Sequence, residues 1–211
     1  EMCIRDRVLA CILNKKDLRF KGFFRTMIFV PCTTSLVAYS IIFRSLFAND
    51  GLVNYVLVNL GILDKPYNFL TQPFAAKMVI ILALLWRWTG YNMVFFLSGL
   101  QNIEYSVYEA AKIDGASAIQ TFFKITVPLL KPTILLTAIM STNGTLQLFD
   151  ESINLTDGGP ANASISMSHY IYNLCFKYVP NFGYAAAMSF FILLLVAVLA
   201  FIQMRVGDKR D

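Results

Sequence analysis

From Tyr178 to Met204 the chain runs without a single charged side chain, and Phe182 to Met204 is almost wholly apolar. About 20 such residues in a helix cross a hydrocarbon core of roughly 30 Å, so this stretch restricts the possible folds more than any other feature. Three further stretches are alike in length and character: Phe24 to Phe47, Ala76 to Leu100 and Leu129 to Phe149. Only 15% of the 211 residues are charged and 57% are hydrophobic, against about 25% and 45–50% in soluble domains. Such a chain cannot coat a water-facing surface. Its 18 Phe, 10 Tyr and 2 Trp equally exclude disorder. The sequence therefore predicts an all-α, polytopic membrane protein with four full transmembrane helices, and residues 1–211 read as one membrane domain. Val8 to Leu13 is apolar but too short to span, and the chain begins with Glu1, so the reading includes a remnant of an earlier helix, missing N-terminal helices and a segment 1–7 that is either native or foreign. No N-terminal stretch has the layout of a signal peptide.

Orientation follows from the basic residues, because cytoplasmic connections hold the excess of Lys and Arg. Lys15, Lys16, Arg19, Lys21 and Arg25 crowd the segment before the first span, and Arg205, Lys209 and Arg210 follow the last. Lys112 and Lys124 fall between the second and third spans, whereas Asn49 to Ala75 has only Lys65 and Asp150 to Asn181 only Lys177. One orientation satisfies all five segments: the 101–128 loop and the C-terminus are cytoplasmic. The net charge of +5 is thus a topology signal rather than the footprint of a nucleic-acid binder. Cys3, Cys11, Cys32 and Cys175 show no CxxC or metal-ligand spacing, which argues against a disulfide framework.

The segment Ile103 to Pro128, IEYSVYEAAKIDGASAIQTFFKITVP, is too polar to cross a bilayer and too regular for a plain loop. Ser106-x-x-Glu109 and Ser117-x-x-Gln120 both fit the capping box, in which hydroxyl and side chain satisfy each other's backbone N–H groups. Gly115 lies between them, where a left-handed, helix-ending residue is cheap. The pattern predicts helix, sharp turn, helix. Ile113, Ile119, Phe122, Phe123 and Ile125 offer apolar surface beside Ala110, Ala111, Ala116 and Ala118, and an exposed apolar patch usually marks a contact site.

Glu109-Ala110-Ala111, then Gly115, Ile125 and Val127-Pro128 at their spacing, resemble the EAA signature of permease subunits of binding-protein-dependent ABC importers. Val127 stands where the family usually has Leu, and Glu104 where Pro is common. FFRTMIFVP at Phe23 to Pro31, Phe149-Asp150, LTDGGP at Leu155 to Pro160, YIY at Tyr170 to Tyr172 and FGYAAAMS at Phe182 to Ser189 resemble its carbohydrate branch, the maltose and glycerol-3-phosphate type. The resemblance covers about residues 8 to 206. It implies a permease subunit in the cytoplasmic (inner) membrane that moves a sugar-like solute, with the elbow as a coupling element. Glu109, Ala110, Ala111, Asp114 and Gly115 would dock on a cytoplasmic ATPase, and Ile125 and Pro128 would anchor the return to the bilayer. ATP and Mg would be bound by ATPase partners, with no cofactor in this chain. The other implied partners are a second homologous permease and an extracytoplasmic solute-binding protein on the outer loops.

Polar residues inside spans are functional candidates by default, since lipid penalises them unless they face protein or water. Arg87, between Trp86 and Trp88, is expected to pair with the partner permease or to touch solute. Trp88, Tyr91 and Asn92 combine aromatic faces and an amide suited to sugar, or anchor the helix at the interface. Thr137, Ser141 and Thr145 recur every four residues, with Asn143 and Gln147 on neighbouring faces. Such a stripe either packs helices or lines a pathway, and the resemblance favours Ser141 and Thr145 as pathway residues. Asp150 and Glu151 are expected to cap the outer end of the third span as a polar rim. His169, the sole histidine, lacks partners at metal-ligand spacing. There is no GxxxxGK[ST], HExxH or GxSxG, so the sequence shows no catalytic site. Two rivals remain open: a membrane-embedded enzyme and an ion-coupled secondary transporter, although the sequence shows neither internal repeats nor a carboxylate within a span.

Overall fold

The computed structural model describes residues 20–207, and every regular element among them is helical. The expectations for residues 1–13, for Lys15, Lys16, Arg19, Lys209 and Arg210, and for Cys3 and Cys11 fall outside the described residues. The second and fourth predicted spans are single long helices, α4 and α11 below. The other two are each assembled from more than one element.

The first predicted span, Phe24 to Phe47, is two helices, α1 (Lys21–Thr33) and α2 (Leu36–Leu46). Pro31 removes the N–H that would bond one turn back and its ring crowds that turn. The polar run Thr33-Thr34-Ser35 then lets the chain leave the helix, with Ser35 extended at φ −54°, ψ 136°. Hydropathy alone cannot see this break, because both sides are equally apolar. The following connection holds a helix not anticipated from the sequence, α3 (Leu52–Asn59), tied down by buried Asn54, whose amide donates to the carbonyls of Ala48 and Tyr67, each at 3.0 Å. Next comes α4 (Pro73–Gln101), 29 residues long.

The polar segment beyond α4 folds as α5 (Tyr105–Ile113), a turn at Gly115, α6 (Ala118–Thr121), a π-helical turn over Phe122–Thr126, and α7 (Val127–Leu129). After Leu130 the path bends by 68° into α8 (Lys131–Leu146). Pro132 has no N–H to donate to the Pro128 carbonyl, and its ring would clash there in a continuous helix, which favours a bend at this point. The third predicted span therefore supplies a helix of only 16 residues.

Asp150 and Glu151 do not cap that span. They open a separate helix, α9 (Asp150–Thr156), whose N-terminus favours their negative charge. A left-handed run at Asp157 to Gly159 and a 3-10 turn at Pro160–Asn162 follow. Then come α10 (Met167–Tyr172), a π-helical turn over Asn173–Lys177, and α11 (Phe182–Gly207). By length and composition α4 and α11 suffice to cross a membrane. The number is four if Gly22–Thr33 with α2, and Ala118–Leu129 with α8, each make one bent span.

Contacts gather into two units, with α4, α8 and α11 each contributing residues to both. One unit comprises residues 20–32, 88–142 and 199–207 of the described chain. Its core is Met93, Phe96, Leu100 and Leu130, with Ile28, Ile103 and Ile134 packed around them. Small residues let backbones approach here. A Cβ on Gly90 would strike the carbonyl oxygen of Ile28, and one on Gly99 would lie 2.7 Å from Thr133 Oγ1. The other unit, residues 33–87 and 143–198, is centred on Tyr39, Val79, Ile80, Ala83 and Leu155.

Candidate functional site

Two arrangements, one in each unit, are candidate sites, and the first holds the sequence-derived docking residues. The first is the elbow α5 to α7. Gly115 takes φ +71°; its N–H donates to the Lys112 carbonyl at 3.2 Å, and the Ala116 N–H to the Ala111 carbonyl at 3.0 Å. This is the Schellman pattern, which ends a helix by satisfying two of its last carbonyls. The Ser117 box forms as expected, Gln120 N–H donating to Ser117 Oγ at 3.3 Å and Ser117 N–H to Gln120 Oε1 at 2.9 Å. The Ser106 box does not form. The helix starts at Tyr105 with Glu104 in the capping position, and Ser106 Oγ donates to Glu104 Oε2 at 3.2 Å. An upstream carboxylate within reach has taken the hydroxyl.

In this elbow Glu109, Ala110, Asp114, Gly115 and Pro128 are exposed, Ile125 is half-buried and Ala111 is buried. Ile113 is 86% exposed, Ile119 71% and Phe123 64%, so the elbow presents the apolar surface that its sequence implied. Tyr108 Oη lies 3.4 Å from Thr126 Oγ1 and links the two limbs.

The second arrangement is a cavity of about 610 Å³ in the other unit. Asn143 in the last turn of α8, Gln147 just past its end, Ser168 on α10 and Ser189 on α11 supply its polar groups. Ile171, Ile192, Leu193, Val196 and Ala197 form the apolar wall. Gln147 Nε2 donates to Asn143 Oδ1 at 2.8 Å, which orients the pair and leaves the Asn143 N–H groups and the Gln147 carbonyl oxygen for a guest. Every polar lining group is an uncharged amide or hydroxyl.

The sequence-derived pathway residues lie elsewhere. Trp88 meets Tyr91 edge-on at 5.6 Å and Tyr91 meets Phe95 at 5.0 Å, while the Tyr91 hydroxyl donates to Met140 Sδ at 3.9 Å. Asn92 is fully buried beside them. Trp88, Tyr91, Asn92 and Ser141 belong to the first unit and Thr145 to the second, and neither Ser141 nor Thr145 lines the cavity. Thr137, the first member of their stripe, is buried and donates to the Thr133 carbonyl at 2.9 Å, a helix-packing role. The signal that could have found the cavity pair was the i, i+4 spacing of Asn143 and Gln147, two amides one turn apart.

Elsewhere in the unit that holds the cavity, Arg87 finds a partner within the chain. Its Nη1 lies 3.8 Å from Glu151 Oε1, and its guanidinium sits 5.7 Å from the centre of the Tyr39 ring. The Tyr39 hydroxyl donates to Glu151 Oε1. An arginine near a helix centre in lipid costs roughly 2.5–3.5 kcal/mol on insertion scales, and the carboxylate and ring face supply the compensation. Sequence distance hid this, since Tyr39 and Glu151 are 112 residues apart.

On the opposite side of α9, Ser152 Oγ donates to the Ser164 carbonyl at 2.8 Å and accepts from Ser166 N–H at 3.3 Å and from His169 Nδ1–H at 2.9 Å. His169 is fully buried, and its Nε2 faces Asp157 Oδ1 at 4.0 Å. Burial holds the imidazole below its usual range, with Lys177 adding to this and Asp157 opposing it. The Lys177 ammonium donates to Asp157 Oδ1 at 3.1 Å.

The model of the family described as "Binding-protein-dependent transport system inner membrane component" matches residues 8–210. The lactose transport system permease protein LacF of Rhizobium radiobacter is 56% identical over 205 residues, 96% of this chain and 69% of its own length. The arabinooligosaccharides transport system permease protein AraP of Bacillus subtilis is 34% identical over 205 residues, and there the chain spans 64% of the relative's length. A crystal structure of a bacterial ABC transporter that imports the acidic polysaccharide alginate shares the fold at TM-score 0.83 and 24% identity, covering 96% of this chain and 71% of the other. A second structure, of a bacterial alginate ABC transporter in complex with a periplasmic protein bound to an alginate pentasaccharide, matches at TM-score 0.76 and 25% identity over 96% and 69%.

Proposed function

Because the chain belongs to the family of inner membrane components of binding-protein-dependent transport systems, we propose that it is a permease subunit of an ATP-driven importer of a neutral sugar or a similar small hydroxylated solute. The cavity carries the solute class. Amides and hydroxyls facing an aliphatic wall can hydrogen-bond a sugar's hydroxyls and cover its C–H face, and a charged guest would find no counter-charge among the lining residues. The names of the lactose and arabinooligosaccharide relatives agree with this class.

The elbow supports the other half of the reading. Glu109 and Ala110, exposed on α5 just before the turn at Gly115, suit insertion into an ATPase groove, where Glu109 would meet a basic side chain in a charge-assisted contact. Buried Ala111 would set the angle of the first limb, and Asp114 with Gly115 the turn. Ile125 and Pro128 would pass the movement to α8. The energy source, ATP with Mg, would be bound by ATPase partners, a second homologous permease would complete the pathway, and a solute-binding protein would dock on the outer connections. The alginate structure with a bound periplasmic protein supports the last of these. In this orientation the elbow and the C-terminus face the cytosol.

The test is uptake of labelled lactose and maltose by proteoliposomes holding the assembled complex. Uptake is expected to require internal ATP, and Asn143→Leu or Gln147→Leu should lower it at least severalfold while alanine at Ser141 or Thr145 separates pathway from packing roles. Uptake that persists without ATP under an ion gradient would overturn the assignment in favour of a secondary transporter.

A further inference from the structure

Helix α9 holds two consecutive side chains that enter different packings, and it lies in the chain between two of the three segments that line the cavity. Glu151 faces α2 and α4, where it accepts from Tyr39 and pairs with Arg87 at 3.8 Å; it is only 4% exposed. Ser152 faces α10 and takes the Nδ1–H of His169 at 2.9 Å, and the preceding residue of α10, Ser168, lines the cavity. The other wall joins α9 directly, since Gln147 stands four residues before Glu151 and Leu148 between them packs into the cluster of Tyr39, Val79 and Ile80. Neither Glu151, Arg87 nor Tyr39 lines the cavity. A buried carboxylate that does not line the cavity, yet anchors a helix lying between two of its lining segments, can act on it only through geometry.

We infer that Glu151, held by Arg87 and Tyr39, is a positioning residue that sets the separation of Gln147 and Ser168 and thereby determines which sugars the cavity accepts. The inference rests on the solute reading of the cavity given above. The ion pair suits this task because Glu151 is buried, and moving it away from Arg87 and Tyr39 would leave its carboxylate without its ion partner and its donor, so α9 has a preferred seat. Tyr39 adds direction, as its hydroxyl is fixed by a fully buried ring packed edge-on against Phe43.

The experiment uses the assembled complex in proteoliposomes, with the native cysteines replaced by serine, and measures two things in Glu151→Gln, Tyr39→Phe and the conservative Arg87→Lys. The first is the ratio of initial lactose to maltose uptake per inserted complex. The second is the rate at which a membrane-impermeant maleimide labels cysteine placed at Gln147, compared with cysteine at the exposed Ala161. The expected result is a change of at least threefold in the uptake ratio and in labelling at position 147 for Glu151→Gln, unchanged labelling at 161, and near-normal values for Arg87→Lys. If Glu151→Gln fails to assemble, Tyr39→Phe keeps the ion pair, loses one hydrogen bond and should shift both readouts in the same sense by a smaller factor. Uptake of both sugars falling by the same factor with unchanged labelling at 147 would show that the pin merely holds the fold, and would overturn the inference. If the wild-type complex takes up neither sugar, the solute reading fails instead, while the labelling arm still reports whether Glu151 sets the cavity wall.

Discussion

His169 shows how one buried side chain ties α10 to α9 and to the turn before it. The Ser152 hydroxyl is committed to the Ser164 carbonyl, so it can only accept from the imidazole, and the ring is neutral with its hydrogen on Nδ1. Burial lowers the folded-state affinity for a second proton. The stabilisation from this contact is therefore complete above the unfolded histidine value near 6.5 and declines as the pH falls below it, because the unfolded chain then binds the proton more readily. Amide hydrogen exchange over residues 152–172, corrected for the intrinsic rate, should quicken between pH 7.5 and pH 5. His169→Asn keeps an N–H donor but does not titrate, and should abolish that acid sensitivity. Acid sensitivity of equal size in His169→Asn would mean that another group is responsible.

The helices are short-range objects, and their boundaries follow local chemistry wherever that chemistry is uncontested. Gly115 ends α5 at φ +71°, and nothing lies within 4 Å of where its Cβ would be, so a substitution there meets backbone strain rather than a clash. A β-branched residue in that conformation is a steric outlier, with a penalty on the order of 1–2 kcal/mol. Gly115→Val should therefore insert and assemble yet lose the link between the two limbs: ATP hydrolysis should continue while sugar moved per ATP falls by about tenfold. Wild-type transport by this variant would show that the turn has no coupling role. The same locality explains the successes and failures at helix starts. Ser117 caps α6 with no competitor, whereas Ser106 bonds Glu104 and the cap moves upstream. Breaks at Thr34-Ser35 and Leu130 were hidden because hydropathy averages over a span, while a proline acts on a single turn.

At the scale of the whole molecule, the elbow and the cavity lie in different contact units, so the proposed solute and coupling roles can be tested separately. The coupling assignment is checked in the assembled complex by cysteine at Ala110, which is exposed, against cysteine at Ala111, which is buried. A short bifunctional cross-linker at position 110 should capture the ATPase subunit, and position 111 should give at least fivefold less product. Absence of any such product at 110 would remove the docking role from the Glu109 to Gly115 segment.

The number of apolar stretches, the helical character of every element, the glycine turn and the Ser117 cap were legible in the sequence, since each depends on residues within a turn or two of one another or on summed hydropathy. The EAA spacing was legible for the same reason. Which polar groups come together was settled only by tertiary structure: Arg87 pairs with Glu151 beside Tyr39, Ser152 bonds His169, and Asn143, Gln147 and Ser168 line one cavity. Lipid or protein interior makes an unpaired charge or amide expensive, which favours a partner, but it does not say where along the chain the partner stands. That choice is made when helices pack and distant residues come within hydrogen-bond reach.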